Sequence, residues 1–111
     1  VNWTEKPEPP YRITPRARAD LMVIGEYTEA HWGRHQRNLY LKSLEKRFVW
    51  LAENPHAGLH RQDIHEGYFS FNHGRHVVFY LISGNTIDII GVLHQEMDIL
   101  HYFNTGFPDA F

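Results

Sequence analysis

The chain has 111 residues, with eleven Lys and Arg against thirteen Asp and Glu, nine His and no Cys. That length supports a single hydrophobic core, and no run nears the roughly 20 apolar residues of a membrane span. A net charge of −2 runs against the basic excess by which proteins grip nucleic acid, and the absence of both cysteine and a signal-peptide pattern points to a soluble, cytoplasmic protein without disulfides.

Residues 1–10, carrying Pro7, Pro9 and Pro10 among charged neighbours, read as an extended tail. Residues 104–111 read as a second tail, which leaves 11–103 as one domain. Tyr11-Arg12-Ile13 fits a brief edge strand. Thr14 is a good N-cap and Pro15 suits a first helical turn, where its missing N–H is not needed. Leu21, Ile24, Thr28 and Trp32 then recur at helical spacing, with Arg16, Arg18, Asp20, Glu26 and Glu29 largely elsewhere on the wheel. Gly33 provides a stop, and Arg37, Leu41, Leu44, Phe48 and Leu51 line up again until Asn54-Pro55 ends the run. The two helices are expected to form an antiparallel hairpin.

Residues 56–66 are polar, with Gly58 and Gly67 as punctuation before a short strand at Tyr68–Asn72 and a turn at His73-Gly74. The β-branched and aromatic run His76–Ile82, the turn Ser83-Gly84-Asn85 and the run Thr86–Leu93 read as a β-hairpin that ends on the polar residues His94, Gln95, Glu96 and Asp98. The expected fold is α+β in the order β-α-α-β-β-β: a short N-terminal strand, a helical hairpin and a three-stranded antiparallel meander, with the helices on one face of the sheet.

Tyr11-Arg12-Ile13-Thr14, the helix end Leu51-Ala52-Glu53-Asn54-Pro55, Gly58, Gly67-Tyr68, Gly74-Arg75-His76-Val77-Val78-Phe79-Tyr80, Ile87-Asp88-Ile89-Ile90, Val92-Leu93-His94 and Asp98 occur in one order and spacing. In these residues the chain resembles the ParE toxins of the RelE/ParE superfamily of type II toxin–antitoxin proteins, over residues 11 to 100. The resemblance implies a compact toxin, silenced by a ParD-like antitoxin whose C-terminal segment wraps it while the antitoxin's N-terminal domain dimerises on operator DNA. ParE toxins are associated with poisoning DNA gyrase and RelE-like relatives with cutting messenger RNA on the ribosome. Fold alone does not choose between them.

Cutting RNA requires a base for the 2′-hydroxyl, a proton donor for the leaving oxygen and cations for the phosphorane charge. The candidates are His94, Arg75, Arg61 and Tyr80. Ribonuclease relatives commonly carry an arginine on the first meander strand, and many ParE sequences have one just after the Gly67-Tyr68 equivalent. Here that place is Phe69, which cannot neutralise a phosphate. The expected function is therefore gyrase inhibition by protein–protein binding, without enzymatic activity, membrane contact or direct DNA binding. The alternative is a ribosome-dependent endoribonuclease using His94, Arg75 and Tyr80.

Tyr68, Phe69, Phe71, Phe79 and Tyr80 alternate on adjacent strands, and most of them read as core. If Phe69 and Phe71 face away from the helices, they form a patch for an antitoxin segment, with Arg61 and Arg75 pairing its carboxylates and Tyr80 and His94 nearby. Arg34, Arg37, Lys42 and Lys46 are either a solvated mixed face or a surface for an acidic target. His94 reads as a strand-end anchor to Glu96 or Asp98 as much as a catalyst. His101-Tyr102 matches in letters the His-Tyr ending of some ribonuclease relatives but lies beyond the strand end. His56 with His60 and His73 with His76 have spacing that a metal could use, yet no third ligand is fixed, so no metal and no other cofactor is expected.

Overall fold

The computed structural model describes residues 10–104. The two expected tails therefore lie outside the described residues except for their innermost positions. Thr14 keeps an extended backbone while its Oγ1 accepts the Ala17 N–H at 3.1 Å, and with Pro15 in the first turn α1 (Pro15–Glu53) starts as the sequence predicts. Gly33 interrupts α1 at φ 89°, ψ 169°, a conformation that glycine alone adopts readily. The chain reverses there. Arg37 pairs with Glu29, and a Cβ on Gly25 would sit 3.3 Å from the Leu41 side chain, so partners lie symmetrically about Gly33 in the expected antiparallel hairpin. At the far end the Asn54 side chain and backbone N–H both return to Trp50 O.

The remaining elements are β1 (Tyr11–Ile13), β2 (Leu59–His60), β3 (Tyr68–His73), β4 (His76–Ser83), β5 (Thr86–His94) and α2 (Ile99–Asn104). They form one sheet in the order β1-β5-β4-β3-β2. β3, β4 and β5 are the expected antiparallel meander. Both of its turns are two-residue loops opened by a positive-φ glycine, Gly74 at 57° and Gly84 at 60°. β1 runs parallel to β5, its Arg12 forking onto Asp88 at 2.9 and 3.1 Å, and β2 adds to the other edge. The sheet is thus mixed and five-stranded rather than a purely antiparallel meander. Segments of three and two residues are too short to carry a readable period.

Two cores sandwich the sheet. On one face Leu44, Phe48 and Leu51 of α1 pack with Val78, Tyr80, Ile87 and Ile89. On the other face Val77, Phe79, Ile90 and Leu93 pack with Tyr102 of α2, a helix that the sequence reading left out. A register shift between Phe79 and Tyr80 pairs them with Gly91 and Ile89, which frees Ile90 to stay on the α2 face. Gly91 has no Cβ because the Tyr102 ring occupies that space, 3.2 Å from where the Cβ would be. Asp98 starts α2 by accepting the His101 N–H at 3.0 Å.

One position departs from the helical wheel. Trp32, placed on the packed face by periodicity, is 55% exposed, because it precedes the reversal at Gly33. Phe69 and Phe71 face the helices, partly buried against the α1 core, so the condition for an outward apolar patch is not met.

Leu44 is fully buried and Leu39 is half exposed. Leu44→Ala is expected to cost about 2–5 kcal/mol, and Leu39→Ala about 0.5 kcal/mol or less, in urea unfolding monitored by circular dichroism.

Candidate functional site

The tip of the α1 hairpin overhangs the β3–β4 turn and the end of β5, enclosing a cleft of about 380 Å³. α1 contributes Tyr27, Thr28, Trp32, Gln36 and Tyr40, and the sheet contributes Gly74, Arg75, His76 and His94. Tyr40 organises the floor: its hydroxyl lies 2.6 Å from His76 Nδ1 and 3.3 Å from His73 O. Gly74 is required twice over, by its positive φ and because a Cβ would come within 2.9 Å of that hydroxyl. Burial raises the Tyr40 pKa, with the Arg75 backbone and charge opposing.

The histidines here are differentiated by their surroundings. Burial, reinforced by neighbouring His94 and His73, pushes His76 down to about 4, so it is neutral at physiological pH. His94 Nδ1 accepts the Glu96 N–H at 3.2 Å, and Met97 N–H reaches His94 O at 3.0 Å, which ties the histidine to the end of β5. With Nδ1 accepting, Nε2 is the ring nitrogen left to donate.

The residues proposed from sequence do not gather in one place. His94 and Arg75 share this cleft. Tyr80 does not: it is fully buried beneath α1, donating to Pro55 O at 2.8 Å and accepting the Gly58 N–H at 2.9 Å. Burial raises its pKa further. It is a structural hydroxyl, closed to substrate and partner alike in this arrangement. Tyr40 is the hydroxyl that stands with the histidines, and as one tyrosine within a helical run it gave no chemical signal.

Arg61 sits across the sheet, forked onto Asp63 at 3.0 and 2.9 Å, 3.3 Å from Ser70 Oγ and over the Phe79 ring. The Asp63 carboxylate raises the Arg61 pKa. Phe69 stacks between Tyr80 and His60, with ring centroids at 5.5 and 5.0 Å. Phe71 meets Trp50 at 5.3 Å and lies under Arg47 at 4.9 Å. Beside it a second cleft of about 230 Å³ is lined by Ser43, Lys46, Arg47, Trp50 and His73.

Of the basic set on the hairpin, Arg37 is turned onto Glu29 and Asn38, whereas Arg34, Lys42 and Lys46 are exposed. His56 and His60 flank Phe69, and His73 and His76 flank Tyr40. Among the described residues no group of three His, Cys, Asp or Glu is placed to hold a metal, and no helix is long and apolar enough to cross a membrane.

Comparison with known proteins adds an independent finding. Residues 11–99 match the family described as "ParE toxin of type II toxin-antitoxin system, parDE". The chain is 40% identical over 89 residues to Toxin ParE1 of Caulobacter vibrioides, covering 80% of this chain and 92% of that protein. It is 38% identical over 90 residues to Toxin ParE1 of Mycobacterium tuberculosis, with the same coverage. Toxin ParE of Escherichia coli is 32% identical over 96 residues, covering 81% of this chain and 88% of its own length. Among solved structures, a chain of the "Chromosomal ParDE TA system from P. aeruginosa" aligns with a TM-score of 0.66 at 17% identity, over 78% of this chain and 95% of that one, a likeness of fold.

Tyr80→Phe leaves the Gly58 N–H and Pro55 O without their partner, so stability is expected to fall by about 1–3 kcal/mol in chemical unfolding. The His76 pKa is depressed on folding, so its contribution is fully present above the unfolded value near 6.5 and is lost as pH falls toward about 4. Urea midpoints followed across that window should decline more steeply in the wild type than in His76→Gln.

Proposed function

As the chain belongs to the ParE toxin family of type II toxin–antitoxin systems, we propose that it acts by protein contact, inhibiting DNA gyrase when free and silenced by a ParD-like antitoxin. The observation that carries this reading is the outer surface of the α1 hairpin, where Tyr27, Trp32 and Leu39 are each more than half exposed beside the exposed cations Arg34 and Lys42. Large apolar side chains left wet among charges are what a protein partner covers. The choice of gyrase rests on the family resemblance.

The antitoxin reading draws on the outer edge of β3. β2 pairs only with Phe69 and Ser70, so the outer edge of β3 from Phe71 to His73 has no strand neighbour among the described residues. An extended segment added there would continue the sheet by backbone hydrogen bonds. It would run past Phe71, Trp50 and the cations Lys46 and Arg47, which suit an acidic chain.

The endoribonuclease alternative keeps one supporting feature, the meeting of His94, Arg75 and Tyr40 in the first cleft. Against it stand the burial of Tyr80 and the absence of a phosphate-binding cation at Phe69.

Purified protein is expected to abolish supercoiling in a gyrase reaction while leaving messenger intact in a translating extract read by primer extension. His94→Ala should inhibit gyrase as the wild type does. Codon-linked cuts lost in His94→Ala would sink the protein-contact reading in favour of the nuclease.

A further inference from the structure

The cleft under the hairpin tip has a composition that protein contact does not require. Its volume of about 380 Å³ falls in the range of small-molecule sites. No Asp or Glu lines it, although acidic residues outnumber basic ones in the chain as a whole. The permanent charge in it is Arg75, whose side chain is exposed and makes no ion pair with a carboxylate of the described residues. His94 adds a second donor: the Glu96 N–H occupies Nδ1, which leaves Nε2 and its proton free. His76, by contrast, is committed to Tyr40 and shapes the floor.

The mouth is aromatic. Tyr27 and Trp32 are each 55% exposed, with ring centroids 6.0 Å apart edge to face, and His31 stacks on one face of Tyr27 at 3.9 Å. Gln36 supplies a neutral amide between that wall and the floor, while the Thr28 hydroxyl donates to Ile24 O at 2.7 Å. An anion-binding pair at one end, a stacking wall at the other and an amide between them match a ligand with a planar heterocycle and a phosphate. Arginine engages phosphate oxygens in pairs, and an aromatic ring stacks on any base without regard to its edge pattern.

We propose that the cleft lined by Tyr27, Trp32, Tyr40, Arg75 and His94 binds a nucleoside phosphate, with the base against Trp32 and Tyr27 and the phosphate on Arg75 and His94. The site lies apart from the open β3 edge, and it shares Tyr27 and Trp32 with the hairpin surface proposed for protein contact. The same chemistry is offered by a free nucleotide and by the phosphorylated end of a single strand, and the slightly acidic chain favours the small ligand over a long polyanion.

The test is isothermal titration of the purified full chain, with tryptophan fluorescence followed in parallel, against AMP, GMP, CMP and UMP. Adenosine, inorganic phosphate, a 5′-phosphorylated hexanucleotide and a short acidic peptide serve as the comparison ligands. Saturable one-to-one binding of a mononucleotide is expected, with adenosine and phosphate alone each at least tenfold weaker. Arg75→Ala and Trp32→Ala should each weaken binding roughly tenfold without changing the unfolding temperature, since both side chains are exposed. Hexanucleotide binding that is tighter than mononucleotide binding, with the same two sensitivities, assigns the site to a strand end. The proposal is overturned if neither nucleotide form saturates, if adenosine matches AMP, if both variants bind as the wild type, or if the acidic peptide alone is bound.

Discussion

One carboxylate oxygen closes the edge of the sheet and gathers three elements. β1 accompanies β5 only as far as Ile89, whose carbonyl accepts the Thr14 N–H at 3.0 Å just as the chain turns into α1. Beyond that point no strand among the described residues receives the Val92 N–H of β5, and Asp20 Oδ2, in the second turn of α1, accepts it at 3.0 Å. The same oxygen accepts the Tyr102 hydroxyl at 2.6 Å. Arg16 lies over the Tyr102 ring at 3.6 Å and donates to its carbonyl. Burial raises the Asp20 pKa, while Tyr102, Val92 and Arg16 favour the charged form. A helix of six residues has little stability of its own, so α2 holds its place over the second core because α1 reaches round the sheet edge to fasten it.

This fastening explains what the sequence could and could not disclose. The hairpin helices and the meander were legible because each repeats its apolar positions over several turns or several strand residues. Periodicity fails where one residue must serve a neighbour that has no pattern of its own. Asp20 and Arg16 fall on the polar side of the wheel and look solvated, yet they are the points to which α2 is tied. Tyr102 looked like a chance match to a catalytic ending because a six-residue helix leaves no trace in the hydropathy pattern.

The site was legible to the same degree and for related reasons. Alternation along β4 groups His76, Val78, Tyr80 and Ile82 on one face but does not say that the face lies beneath a helix. Tyr80 therefore read as available chemistry while its hydroxyl was serving Gly58 and Pro55. Arg61 and Phe69 stand close in sequence yet lie on opposite sides of the sheet, since Phe69 points to α1 and Arg61 to Phe79. The pairing of Arg75 with His94 was readable from the hairpin, because the register sets His76 opposite His94. Tyr40 joins them only through the reversal at Gly33, a tertiary event with no local signature.

Gly33 also determines how the molecule divides its surface. At the end of the hairpin away from Gly33, Asn54, Pro55 and Gly58 are tied to Trp50 and Tyr80, so that end is fixed by hydrogen bonds to the core. At the Gly33 tip the arms run past the sheet, and side chains that would pack farther down, Tyr27 and Trp32 among them, are left over the cleft and in solvent. Stability and recognition thus draw on different stretches of the same helix. A partner or ligand that engages the tip does so without dismantling the core, and the histidines and Arg75 beneath it hold their positions through the short β3–β4 turn. The exposed aromatics are a consequence of arm length: shortening either arm of α1 would bury less in the core and at the same time remove the wall that makes the cleft.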